Sequence, residues 1–267
     1  MKKKFTSSIF VLTSFCGRMN VVAIVAILLA SAPVHAQKSG KKLVWEENFD
    51  GKELNRKVWN FEYGATGWGN NERQDYGDKN HKVADGKLDI TIKKDGNSYT
   101  STRITTKGNK EFKYGYMEAR VKVPVGHGIW PAFWMLGSNI SEVGWPKSGE
   151  IDIMEYIGRE PDIAYTTIHT PDNNGANASS KKTDFKTIED GFHNFACDWT
   201  KDKIDFYIDD KLVYTYSPAN KTLNNWPFDQ PFFFIINCAV GGNFGGPDVD
   251  DSIFPQHYVV DYVRVYQ

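Results

Sequence analysis

Apolar and polar residues alternate with a period of two along much of this chain, which predicts β-strands. The clearest cases are residues 88–92, 117–123 and 204–208, in which every second residue is apolar. Residues 209–211 have turn composition and predict a hairpin into a further strand. Residues 231–240 are almost all apolar, which indicates a strand buried on both faces.

No long segment has the 3.6-residue period of an amphipathic helix, so the pattern predicts an all-β fold of two packed antiparallel sheets. Glycine-rich segments at 64–69, 126–128 and 241–246 are predicted loops, and none has phosphate-binding spacing before a helix. The chain has no internal repeat and no low-complexity linker. We therefore expect one domain.

The first 36 of the 267 residues have the composition of a secretory signal peptide. Lys2–Lys4 and Arg18 form a basic leader, an apolar run covers residues 21–32, and small residues flank a cleavage site after Ala36. The apolar run is too short to span a bilayer. We expect a secreted, extracellular or periplasmic protein without a membrane anchor, whose single domain covers residues 37–267.

Charge and cysteine content narrow the partners of this domain. The leader carries four of the 32 basic residues and none of the 33 acidic ones, which leaves a mature net charge of −5. Without a basic block, the domain is not expected to bind nucleic acid or an anionic membrane. Cys197 and Cys238 lie in apolar strand-like runs, so buried thiols are favoured over a disulfide. We expect a monomer.

Residues 149–156 contain three carboxylates, Glu150, Asp152 and Glu155, separated by bulky apolar residues. On a helix, Glu150 and Glu155 would diverge by roughly 140°. On a regular strand, Glu150 and Asp152 share a face and Glu155 points away. A one-residue bulge near Ile153 and Met154 would return Glu155 to the face of the other two acids.

Three acids on one strand face indicate either a solvated surface or a paired-carboxylate site. Glycosidic cleavage with retention needs one carboxylate to attack the anomeric carbon and a second carboxyl to protonate the leaving oxygen, about 5–5.5 Å away. Glu150 and Glu155 suit these two roles, since a bulge both corrects their parity and shortens their separation. Asp152 lies between them and is placed to separate their proton affinities. We expect Glu155, as the general acid, to have the higher proton affinity of the pair.

Three tryptophans, Trp130, Trp134 and Trp145, precede the acids within 20 residues. Each indole is equally well explained as core packing or as a flat platform on which a pyranose ring stacks. Pro131 cannot donate to a β-ladder, which favours a position for Trp130 at a strand entrance near a cleft.

These segments together resemble glycoside hydrolase family 16, in particular its laminarinase (endo-1,3-β-glucanase) branch. The matching strings occur in the family's order across nearly the whole mature chain. They are GWGNNE at 67–72 with Gln74, FKYG at 112–115, GIWPAFWMLG at 128–137, GEIDIME at 149–155, IH at 168–169, AVGGN at 239–243 and VDYVRVY at 260–266.

The resemblance implies a β-jelly-roll with a concave substrate cleft and a retaining, double-displacement mechanism. By motif position, Glu150 would be the nucleophile and Glu155 the general acid/base, with Asp152 assisting. It implies that Trp130, Trp134 and Trp145 line glucose subsites. The presence of Met154 resembles the bulged laminarinase type.

Four further residues acquire a predicted place from the resemblance. Asn70, Glu72 and Arg103 would make polar contacts on the non-reducing side, and His169 would lie near the acid/base. Without the resemblance, a hydrogen-bonded structural imidazole is the favoured interpretation of His169 over a catalytic one. No His/Cys/Asp grouping has zinc-ligand spacing, and no cofactor is expected for catalysis.

Asp261 shares strand parity with Val259, Val263 and Val265, which places an acid in an apolar register. A salt bridge or an edge position would explain it, as would calcium ligation. The resemblance implies a structural calcium near Glu47, Gly86 and Asp261, away from the cleft.

Two alternatives to a laminarinase stay open. Within enzymes, the same scaffold would suit a mixed-linkage β-1,3-1,4-glucanase or another family 16 polysaccharide hydrolase, such as one for sulfated galactan. Lys147 is the only basic residue between Trp130 and Tyr156, which favours a neutral glucan. In a different class, the chain would be a non-catalytic jelly-roll carbohydrate-binding protein.

Overall fold

Two β-sheets packed face to face dominate the computed structural model of the chain, which describes Lys38 and residues 40–267. These residues fall within one compact unit. The predicted signal peptide, residues 1–36, lies outside the described residues, so the domain boundary at Gln37 stays a prediction. Among the residues described, no helix is both long and apolar enough to cross a bilayer.

The described elements are mostly short strands. In chain order the strands are β1 (Leu43–Glu47), β2 (Asn60–Glu62), β3 (Gln74–Tyr76), β4 (His81–Ala84), β5 (Lys87–Asp95), β6 (Ser98–Ser101), β7 (Arg103–Thr105), β8 (Glu111–Phe112), β9 (Gly115–Lys122), β10 (Ile129–Gly137), β11 (Glu150–Glu155), β12 (Ile163–His169), β13 (Ser179–Asp184), β14 (His193–Trp199), β15 (Ile204–Ile208), β16 (Lys211–Tyr216), β17 (Phe232–Val240) and β18 (Gln256–Tyr266). The helices are α1 (Ile140–Val143), α2 (Gly242–Gly245) and 3₁₀ turns at Gly67–Gly69, Gly175–Asn177 and Asp251–Ile253.

The larger sheet has ten strands in the order β16-β15-β14-β9-β18-β5-β6-β3, with β1 also paired to β18 and β4 to β5. The second sheet has eight, in the order β13-β12-β11-β10-β17-β7-β2, with β8 also paired to β17. The predicted all-β sandwich is confirmed. One strand pair departs from the antiparallel arrangement, because β6 folds back along β5 and so runs parallel to β3.

The core lies between the sheets and follows the predicted alternation. Leu88, Ile90 and Ile92 on β5 are fully buried, and all nine residues of β17 are buried as predicted. The hairpin predicted at 209–211 joins β15 to β16. Cys197 and Cys238 are free, buried thiols, as expected.

The register predicted around Asp261 is wrong. The pairing of β18 with β9 shifts between Val260 and Tyr262, so Asp261 occupies a bulge. Val260 and Val263 are therefore the residues that enter the core, and Val259 does not. Asp261 points away from the core and pairs with the Arg120 guanidinium, so a salt bridge explains it.

Candidate active site

The outer face of β11 carries the three acids, and the predicted bulge is confirmed. Along β10, the partners of Glu150, Asp152 and Glu155 are spaced two residues apart, whereas β11 itself advances by two and then three. The extra residue is Ile153, which has no partner on β10, and the pairing with β12 is interrupted over the same stretch. Ile153 and Met154 are both fully buried in the core. The bulge thus buries two consecutive apolar side chains and keeps all three acids on one face.

Gly149 fixes the entry of the chain into this strand. Its φ of 74° lies in the left-handed region that favours glycine. A Cβ at this position would also lie 2.8 Å from the Pro227 side chain. A larger residue would displace the backbone directly before Glu150, which accounts for the glycine that begins the acidic segment.

Glu155 is held by two donors from neighbouring strands. Trp130 Nε1 on β10 donates to Oε1 at 3.1 Å, and Thr167 Oγ1 on β12 donates to Oε2 at 3.1 Å. The Glu155 residue is only 8% exposed. These contacts fix the carboxylate and leave little room for bulk water.

Glu150 has a different set of neighbours. Trp145 Nε1 donates to Oε2 at 2.9 Å, from a residue that is itself 46% exposed. The Trp145 ring lies 5.8 Å from the imidazole of His169, which is directly opposite Glu150 on β12. The Glu150 carboxylate therefore lies next to the Trp145 indole and the His169 imidazole, near the solvent-exposed side of the site.

His169 lies next to both Asp152 and Glu150. Its Nε2 is 3.2 Å from Asp152 Oδ2 and 3.6 Å from Glu150 Oε1. The Gly175 backbone N–H donates to His169 Nδ1 at 3.1 Å, so Nδ1 acts as an acceptor. In the neutral imidazole the proton consequently lies on Nε2, facing Asp152. His169 therefore lies beside Glu150 and Asp152, and it is also close enough to Glu155 to lower the pKa of that carboxyl.

Burial and mutual repulsion oppose simultaneous ionisation of the three carboxyl groups. Burial, followed by the charge of Asp152, raises the pKa of Glu150 to about 8. Burial and the charge of Glu155 raise the pKa of Asp152 well above its ordinary value. Burial also raises the pKa of Glu155, against the His169 interaction and the Thr167 and Trp130 hydrogen bonds. The cluster therefore retains protons near neutral pH.

A hydrogen-bond network joins the acids' neighbours to the opposite wall of the site. Trp134 Nε1 donates to Asn237 Oδ1 at 2.7 Å, and Asn237 Nδ2 donates to the Tyr76 hydroxyl at 2.9 Å. Tyr76 donates in turn to Glu72 Oε2 at 3.3 Å, and Asn70 Nδ2 donates to Glu72 Oε1 at 3.3 Å. The structure thus connects Asn70 and Glu72 with Trp134, while their predicted contacts with substrate stay a prediction.

Arg103 completes this wall. Its guanidinium lies between two indoles, 4.6 Å from the Trp68 ring centre and 4.8 Å from that of Trp134, and pairs with Glu62. Arg103 is only 8% exposed. Its guanidinium therefore holds the Trp68 and Trp134 rings in place through cation–π contacts, in addition to carrying a positive charge. Trp68 has a φ of 50°, unusual for a residue with a side chain.

A groove continues beside these residues along the same face. A cavity of about 230 Å³ is lined by Arg103, Leu136, Phe233 and Lys107, among others. Arg103 is neutralised by Glu62, and Lys107 Nζ donates to Ser141 Oγ at 3.0 Å. Both cations are therefore already engaged by protein groups.

The structure brings the three acids and the three tryptophans together, along with several partners that the sequence did not predict. The ring N–H of each tryptophan is a hydrogen-bond donor to a named acceptor, which adds to any stacking role. The residues missed are Glu62, Trp68, Tyr76, Thr167 and Asn237. Only Trp68 carried a signal, since it lies within the matched segment GWGNNE; the others are contributed by separate strands.

The predicted calcium ligands lie away from this site. The Glu47 carboxylate accepts from the Phe49 backbone and from Trp59 Nε1, and Asp261 is paired with Arg120. A Cβ at Gly86 would lie 3.6 Å from Asp50 Oδ1 and 3.8 Å from the Asn48 carbonyl. The oxygens near Gly86 suit a hard cation, whereas Asp261 already has a positive partner. Calcium stays a prediction.

Comparison with known proteins agrees with this geometry. The family described as glycosyl hydrolases family 16 matches residues 69–263. A beta-glucanase from Rhodothermus marinus is 37% identical over 265 residues, covering 91% of this chain and 93% of that protein. A glucan endo-1,3-beta-glucosidase from Cryptopygus antarcticus is 39% identical, covering 83% and 90%. The crystal structure of a laminarinase from Flavobacterium sp. UMI-01 superposes with a TM-score of 0.84 at 63% identity, covering 85% of this chain and 100% of that one.

Proposed function

The chain belongs to glycosyl hydrolase family 16, and from this premise we propose that it is a retaining endo-β-1,3-glucanase acting on laminarin-like glucan. The observation that carries the proposal is the bulge in β11, which brings Glu150, Asp152 and Glu155 onto one face beneath indole donors. The glucanase and laminarinase names of its relatives support the substrate class.

In the first step, Glu150 attacks the anomeric carbon and forms a glycosyl ester, while Glu155 donates its proton to the departing glycosidic oxygen. In the second step, Glu155 accepts a proton from water, which attacks the same carbon and releases Glu150. Both steps invert the anomeric centre, so the product retains the β configuration. Each carboxyl ends in the protonation state in which it began.

Asp152 reconciles the nucleophilic role of Glu150 with its raised pKa. Negative charge on Asp152 is the largest contribution to that rise after burial. When Asp152 holds the proton, this repulsion is removed and Glu150 ionises more readily. The protonated Asp152 then donates to Glu150, and His169 Nε2 lies 3.2 Å from Asp152 Oδ2 without a hydrogen bond to it. The expectation that Glu155 has the higher proton affinity then depends on Asp152 being protonated.

Substrate recognition follows from the indoles and the polar wall. Trp134 and Trp145 offer ring faces to glucose units, while Glu72 and Arg103 offer hydrogen bonds to hydroxyl groups on the non-reducing side. The charge of Arg103 is neutralised by Glu62 through Nε, and Lys107 donates to Ser141. This favours a neutral glucan over a sulfated galactan.

A carbohydrate-binding protein without catalysis is the alternative from another class. It would have no need to keep three buried acids together, since ionised carboxyl groups are costly to bury. We further propose that the leader directs secretion and that the enzyme works as a monomer.

Product analysis on laminarin, lichenan, agarose and carrageenan tests the proposed function. We expect oligosaccharide release from laminarin, with Glu150→Ser folded but inactive as the matched control. Faster cleavage of lichenan would reassign the enzyme to mixed-linkage glucan. Binding of laminarin without any product would support the non-catalytic alternative.

A further inference from the structure

The two hydrogen-bond donors on Glu155 differ in kind. Trp130 Nε1–H can only donate, so it always favours an acceptor at Oε1. Thr167 Oγ1, at Oε2, is a hydroxyl that can donate or accept according to its rotation. One side of Glu155 is therefore fixed in polarity and the other is reversible.

Thr167 has a second partner that makes this reversal possible. Its Oγ1 lies 2.9 Å from Ser180 Oγ, and either hydroxyl can be the donor. The strand register places Thr167 between Glu155 and Ser180. Thr167 on β12 pairs with Ser180 on β13 and with Asp152 on β11, directly before the bulge. Thr167 is only 4% exposed, whereas Ser180 lies at the exposed sheet edge.

The hydroxyl pair has two settings that share the same heavy-atom positions. With Glu155 ionised, Thr167 donates to Oε2 and accepts from Ser180. With Glu155 protonated at Oε2, the carboxyl donates to Thr167 and Thr167 donates to Ser180, until the Oε2–H turns to the glycosidic oxygen and the proton passes to the leaving group. The change needs only rotation about C–O bonds, and no proton passes between residues.

A retaining mechanism needs both states of this carboxyl, because the same group protonates the leaving oxygen and then takes a proton from water. We propose that Thr167 is a positioning residue whose reversible hydroxyl, backed by Ser180, orients Glu155 in both its acid and its base form. This inference rests on the proposed function. Purely donating surroundings would favour the carboxylate and hinder the acid step.

The variant that tests this is Thr167→Val, which keeps the shape and removes the hydroxyl. Thr167→Ser restores the hydroxyl, and Thr166→Val is the matched control. The Thr166 side chain is equally buried at 1% exposure, and its Oγ1 has no hydrogen-bond partner among the described residues. Thermal melting establishes that each variant is folded.

The readout is the pH dependence of kcat/KM on laminarin, together with turnover of a dinitrophenyl β-laminaribioside with and without azide. The Thr167 bond lowers the pKa of Glu155, so its loss should move the alkaline limit of kcat/KM to higher pH. We expect turnover of laminarin to fall roughly tenfold, the effect of one lost hydrogen bond. On the aryl substrate, whose leaving group needs no acid, azide should restore turnover of Thr167→Val by replacing base-assisted water.

Recovery in Thr167→Ser, with Thr166→Val resembling wild type, would support the inference. A folded Thr167→Val with the wild-type pH profile would overturn it. So would a Thr167→Val whose lost turnover on the aryl substrate is not restored by azide, because that pattern indicates a general packing defect. Wild-type enzyme inactive on both substrates would instead refute the proposed function itself.

Discussion

Neutralising Glu150, the proposed nucleophile, should stabilise the protein while abolishing activity. Glu150→Gln keeps the length of the side chain and an oxygen that accepts from Trp145 Nε1, but removes the buried charge. The folded pKa of Glu150 is about 8, against 4.5 for an unperturbed glutamate. The native state thus holds a proton that the unfolded chain releases, so unfolding free energy falls as pH rises through this interval.

The size of the effect follows from that displacement. At pH 7 the raised pKa lowers the unfolding free energy by about 3 kcal/mol, and at pH 5 by about 1 kcal/mol. The Glu150 side chain is 15% exposed, so solvent screening removes little of this. For a domain of this size, each kcal/mol shifts Tm by about 2–4 °C. Glu150→Gln should melt about 6–12 °C above wild type at pH 7 and about 2–4 °C above it at pH 5.

Thermal melts of wild type and variant across pH 5 to 8 measure this directly. Glu53→Gln, at an exposed loop position, is the matched control and should leave Tm almost unchanged at every pH. If Glu150→Gln raised Tm equally at pH 5 and pH 7, the pKa of Glu150 would not be raised in the folded protein, since only a raised carboxyl pKa makes the gain in Tm grow with pH.

Three further predictions concern the neighbours of the acids and the predicted cation. Trp145→Phe removes the N–H that stabilises ionised Glu150, so the acidic limb of the pH profile of kcat/KM should move to higher pH. An unshifted acidic limb would show that Trp145 does not stabilise ionised Glu150. Asn237→Ala leaves the Trp134 N–H without its acceptor and should cost about 1–3 kcal/mol in a denaturant titration while raising KM more than it lowers kcat. Unchanged KM would separate Trp134 from substrate binding. If calcium binds near Glu47 and Gly86, added calcium should raise Tm relative to EDTA, and equal melting temperatures would exclude a stabilising site.

The strands and the acidic face were predictable because both follow from local alternation. The period-two alternation around Leu88 and Ile92 shows which face of the strand is buried. The bulge is indicated by the odd spacing between Asp152 and Glu155, because on a regular strand one of these two acids would point into the core. The same logic was wrong at Asp261. Its apparent parity with Val263 is broken by a bulge that only the pairing of β18 with β9 reveals.

The partners of the acids were not predictable, because they come from strands distant in sequence. Thr167 reaches Glu155 only through the β11–β12 register, and Asn237 reaches Trp134 across β10 and β17. Nothing in the local sequence shows whether Trp130 only stacks on a sugar ring or also donates a hydrogen bond to Glu155. His169 was identified by resemblance, but its tautomer depends on the Gly175 backbone, which no motif specifies.

We propose that Glu150 and Glu155 cleave β-glucan by double displacement, and the anomer that forms first distinguishes this mechanism from inversion. Proton NMR during the earliest turnover of laminarin, before mutarotation, identifies that anomer. We expect the β-anomer to appear first and the α-anomer to grow only later. An α-anomer that appears first would contradict the assignment of Glu150 as nucleophile.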